Sequence, residues 1–90
     1  MKAVLSATSY VYGRQVGGVS ERFVILVAPV HTGMLLHEEH TRGGHGRDML
    51  LSRIVPPLPA GQTVDAWLTQ RDEELRASGW GSPTRASGIR

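Results

Sequence analysis

The sequence predicts an α+β fold: a small antiparallel sheet of three or four strands with one C-terminal helix packed on it. Three observations carry this expectation. Residues 2–12 alternate Val4, Ser6, Thr8, Tyr10 and Tyr12 on one face with Ala3, Leu5, Ala7, Ser9 and Val11 on the other, the period of a strand rich in β-branched and aromatic residues. Residues 23–28 are apolar at every position. Residues 64–78 run without Gly or Pro between a good N-cap, Thr63, and Gly79, as a helix requires.

Each element can be justified in chain order. After the first strand, residues 13–20 contain Gly13 and the pair Gly17 and Gly18, which predicts a long hairpin loop with Arg14 in it. The run Phe23, Val24, Ile25, Leu26, Val27, Ala28 should be a central strand with both faces covered. Residues 33–55 admit two readings. In one, residues 33–41 and 48–55 form a hairpin that turns through Arg42, Gly43, Gly44, His45, Gly46 and Arg47. In the other, Thr32 and Asp48 cap two short helices. The β-branched pair Ile54 and Val55 directly before Pro56 favours the hairpin, because the residue preceding proline is pushed out of helical space.

Pro56, Pro57 and Pro59 predict a stiff linker into the helix. There Asp65 lies in the first turn, where the helix dipole favours an anion. With Gly79 at C′, Leu75 falls at C3 and Trp80 at C″, the pair that closes a Schellman ending. Residues 1–80 are thus expected to form one α+β domain and residues 81–90 a flexible tail.

Composition narrows the function classes. The 90 residues carry 40% hydrophobic and 20% charged side chains, close to globular averages. No stretch approaches the roughly 18 apolar residues of a membrane span, and the N-terminus lacks a secretory signal, so a soluble cytoplasmic protein is expected. The absence of Cys excludes disulfides, thiolate metal sites and cysteine nucleophiles. Nine of the ten basic residues are Arg and Asn is missing, as in proteins from GC-rich genomes. The formal charge of +2 lies entirely in residues 1–30, so an anion-attracting surface should begin there.

Catalytic, metal and cofactor signatures are weak. His31, His37, His40 and His45 accompany Glu38 and Glu39, but HEEH lacks the zincin spacing, and His37 and His40, which would share a helix face, lie on opposite faces of a strand; no metal or other cofactor is expected. The RGGHGRD segment matches no phosphate-loop template, and Ser52, His37 and Asp48 form a nucleophile–base–acid set of the kind chance supplies. No catalytic residue is assigned, and an enzyme is not expected.

The remaining class is a non-enzymatic protein-interaction or regulatory protein with an unidentified protein partner; size and composition also fit an accessory product of a phage or plasmid in a GC-rich host. On the helix, Val64, Trp67, Leu68 and Leu75 share a stripe with Arg71 near its middle. That guanidinium reaches water, a carboxylate of the chain, or a partner group. Arg71 and Trp67 are therefore the candidate partner contacts. The second reading is a nucleic-acid-binding module, with Tyr10 and Tyr12 stacking bases and Arg14 and Arg22 meeting phosphates. Nothing in the sequence fixes an oligomeric state.

Overall fold

The computed structural model describes residues 7–31, 33–43 and 48–88. Its elements are β1 (Ala7–Val16), β2 (Val19–Val30), β3 (Gly33–Arg42), β4 (Asp48–Ile54), α1 (Val64–Ala77) and β5 (Thr84–Gly88). All strands join one antiparallel sheet in the order β4-β3-β2-β1-β5. The expected sheet of three or four strands is therefore corrected to five, within a broadly α+β architecture. The addition is β5: Thr84–Gly88, in the stretch expected as a tail, pairs with β1 from Val11↔Thr84 to Ala7↔Gly88. Its pairing is seeded by the Gly81 N–H, which donates to the Gly13 carbonyl at 3.1 Å.

A second correction concerns the first hairpin. In place of a long loop, β1 continues through Gly13 and Arg14 to Val16, and the turn is Gly17–Gly18 alone. Both glycines have positive φ, 59° and 80°, the left-handed pair of a type I′ turn whose twist matches the flanking strands. The expected hairpin of β3 and β4 forms, with a register irregularity at His40/Thr41. The centre of its connection, residues 44–47, lies outside the described residues, as do Thr32 and residues 2–6 of the expected first strand.

The helix begins and ends as its sequence dictates. Thr63 Oγ1 accepts from the Ala66 N–H at 3.0 Å. At the other end the Trp80 N–H donates to the Leu75 carbonyl and the Gly79 N–H to the Arg76 carbonyl, with Gly79 at φ 93°, a complete Schellman motif. This ending turns Trp80 back under the sheet. The core is Tyr12, Phe23, Ile25, Val27, Leu36, Leu75 and Trp80, flanked by Val64, Trp67 and Leu68. The helix thus covers one face of the sheet, the inner face.

Candidate interaction surface

Alternation in β2 and its neighbours sorts the candidate residues onto two faces. The inner face holds two ion clusters. In the first, Glu38 of β3 is fully buried, at 0% exposure. Its Oε2 accepts from Arg71 Nε at 2.5 Å, and its Oε1 from Arg53 Nε at 3.0 Å. Arg71 also donates to Glu74 and lies with its guanidinium carbon 5.2 Å from the Phe23 ring centroid. Of the three destinations open to Arg71, the chain's own carboxylate is the one occupied. Trp67 beside it is partly buried against the core.

In the second cluster, Glu21 accepts from Arg14 Nε at 2.9 Å and lies 3.1 Å from His40 Nε2. Trp80 is packed between them, 4.3 Å below the Arg14 guanidinium and edge-on to His40 at 5.2 Å, a cation–π arrangement that ties the helix C-terminus to the sheet. Hydrogen bonds from His40 and Arg14 hold the Glu21 carboxyl below its ordinary range. Next to this cluster the Tyr12 hydroxyl donates to Asp72 Oδ1 at 2.7 Å. Burial, then that hydrogen bond, raises its pKa above the ordinary phenol value.

These contacts divide the four residues of the nucleic-acid reading. Tyr12 is buried, Tyr10 packs at the margin of the same core, and Arg14 is held by Glu21 and the Ser78 carbonyl. Arg22 sits on the other face, opposite Thr41 and Gly13. The tyrosines lie under α1, so they form no open stacking platform.

The outer face reads as cross-strand rows. One row is Thr84, Val11, Val24, Glu39, Ser52, and the next is Ala86, Ser9, Leu26, His37, Ile54. Ala28 and Leu35 pair beside them. Among the described residues no element packs over this face. An antiparallel sheet turned to water normally carries polar side chains there. Here Val11, Val24, Leu26, Ala28 and Leu35 lie together, partly exposed, with Arg22, His37 and Glu39 around them. The apolar run 23–28 is the sequence signal of this patch, whereas the candidate partner contacts expected from the sequence, Arg71 and Trp67, lie on α1.

His37 and Ser52 make one more arrangement on this face. Ser52 Oγ lies 3.2 Å from His37 Nε2, and His37 Nδ1 lies 3.9 Å from Glu39 Oε2. The acid beside His37 is thus Glu39, whereas Asp48 stands opposite Arg42 at the far end of β4. Acyl transfer also needs convergent N–H donors for an oxyanion, and the Ser52 hydroxyl stands on a flat, exposed face of an edge strand. His37 and His40 project from opposite faces of β3, and His45 lies outside the described residues. Among the described residues no group of three His, Cys, Asp or Glu could hold a metal ion.

No protein-family model, curated protein or solved structure matches the chain. Among the described residues no helix is long and apolar enough to cross a membrane.

Proposed function

We propose that the chain is a non-enzymatic, cytoplasmic protein-interaction or regulatory module whose outer sheet face receives a protein partner. One observation carries the reading. Residues 23–28 of β2 are apolar on both sides, and among the described residues α1 covers only Phe23, Ile25 and Val27, leaving Val24, Leu26 and Ala28 with Leu35 and Val11. An apolar patch rimmed by charge suits a protein partner, because apolar area drives association while the rim sets orientation. Arg22, Glu39 and His37 supply that rim. The helix pair Arg71 and Trp67 supports the sheet from behind rather than meeting the partner.

Binding of nucleic acid through Tyr10, Tyr12, Arg14 and Arg22 has less support, since three of these four engage groups of the inner face. The test is a pull-down from host lysate, with and without nuclease, using wild-type protein and Leu26→Asp. A partner retained after nuclease and lost with Leu26→Asp supports the reading. Retention that disappears with nuclease, or that Leu26→Asp leaves unchanged, overturns it.

A further inference from the structure

Among the described residues no strand pairs with the far edge of β4, which adjoins the outer face at Leu35 and Ile54 but offers backbone groups where that face offers an apolar patch. Exposed edges are usually blunted by brevity, Pro, Lys, inward-pointing charge or a bulge, because their unpaired backbone groups template pairing with another chain. The two edges of this sheet differ. β5 is five residues, Thr-Arg-Ala-Ser-Gly, with no large apolar side chain. β4 has seven residues without Pro or Lys, and its bulge at Leu50 leaves Leu51–Ile54 in regular register; it exposes Met49 at 54%, Leu50 at 43% and Ile54 at 63%. Its one cation, Arg53, is drawn to the inner face by Glu38.

Hydrogen-bond direction along this edge is fixed. The Val55 N–H donates to the Leu36 carbonyl at 2.8 Å, so Arg53 and Leu51 also face β3 and the N–H and C=O groups of Ser52 and Ile54 face outward. At the Ile54 end lies an apolar groove of about 310 Å³ lined by Met34, Leu35, Ile54, Pro57 and Leu58. The opposite end carries Met49 and Leu50.

We propose that β4 pairs antiparallel with β4 of a second copy about a two-fold axis at Ser52, merging two sheets into one. That axis sets Ser52 opposite Ser52 and Leu51 opposite Arg53, twice, with the bulged Leu50 of each copy at the Ile54 end of the other. It also brings the Met49 and Leu50 of each copy to the mouth of the other's groove, so the surface complements itself end to end. Such an isologous contact closes at the dimer, whereas β4 on β5 would propagate.

Sedimentation velocity on the full chain over a range of concentrations tests this, with the mass expected to double as concentration rises. Ser52→Pro deletes one outward N–H at a position where an edge strand tolerates proline, and should give a monomer with an unchanged far-UV spectrum. Leu26→Asp should leave the dimer intact, which separates this surface from the outer face. Since the chain has no Cys, Ser52→Cys introduces its sole thiol, at a pair spaced for a disulfide. It should oxidise to a covalent dimer at least about tenfold faster than Gln70→Cys on the exposed side of α1. A monomer at every concentration, a dimer that Ser52→Pro leaves intact, or equal crosslinking of the two thiols overturns the proposal.

Discussion

Replacing Arg71 by Ala should destabilise the fold by about 3 kcal/mol, because it strips one of two partners from a buried carboxylate. Glu38 is 0% exposed, and each of its oxygens is claimed by a different guanidinium. Removing one member of a buried pair typically costs about 3–5 kcal/mol. Two features place this case at the lower end: Arg53 remains, and the Arg71 side chain is itself 23% exposed, so water can reach the vacated site. Loss of the guanidinium over Phe23 adds a further increment of about 0.5–1 kcal/mol. Arg53→Ala should cost only about 1 kcal/mol, since its side chain is 47% exposed and screened. A domain of this size has about 5–13 kcal/mol to lose, so Arg71→Ala should remain folded and measurable. Urea unfolding followed by tryptophan fluorescence reads the change as a lower midpoint at constant slope. A second variant, Glu38→Leu with Arg71→Met, should recover most of the loss, because an apolar pair of similar volume needs no desolvation of charge. If Arg71→Ala falls within about 0.5 kcal/mol of wild type, the surface-like value, the clamp is not part of what holds helix to sheet.

Trp80→Ala should cost about 3–5 kcal/mol, the scale for truncating a buried large aromatic, and the midpoint in urea checks it; a loss under 1 kcal/mol would detach Trp80 from the core. The pH dependence of that midpoint has two limbs. The Glu21 carboxyl is depressed by His40 and Arg14, so its contribution is present above the unfolded carboxylate value of about 4.3 and is lost as pH falls through the folded one. Glu21→Gln should flatten this acid limb. The Tyr12 hydroxyl is raised, so its contribution is complete below the unfolded value of about 10 and is lost as pH climbs toward the folded one. In Tyr10→Phe, which leaves Tyr12 as the only tyrosine, tyrosinate absorbance should therefore rise with unfolding rather than before it.

Local rules made much of this fold readable in advance. Thr63, Gly79 and Trp80 announced both ends of α1, because caps depend on residues within one turn. The run 23–28 announced a central strand, and β2 lies at the centre of the sheet, but the expected cover on both faces is corrected: among the described residues only Phe23, Ile25 and Val27 are covered, while Val24, Leu26 and Ala28 stay partly exposed. The misreadings have equally physical causes. Gly13 looked like loop, yet glycine tolerates a strand where another backbone approaches, and Gly81 donates to its carbonyl. β5 has neither β-branched pattern nor apolar period beyond Thr84; it forms because β1 offers a row of unpaired backbone groups. The Glu38 clamp rests on partners 15 and 33 residues away, beyond any local rule. One cue was present: Glu38 shares the phase of Leu36 and His40 on β3, which marks it as an inward-pointing carboxylate in need of cations.

Methyl NMR tests the central claim, that the outer face of the sheet receives the partner, with a control built into the chain. Val24 and Leu26 point outward, while their neighbours Ile25 and Val27 point into the core. On addition of the partner recovered by the nuclease-treated pull-down, the methyl resonances of Val24, Leu26 and Leu35 should shift and lose accessibility to a soluble paramagnetic probe. Those of Ile25, Val27 and Leu36 should hold their positions. Shifts centred on α1, or outer methyls that stay accessible in the complex, would contradict the assignment of this face.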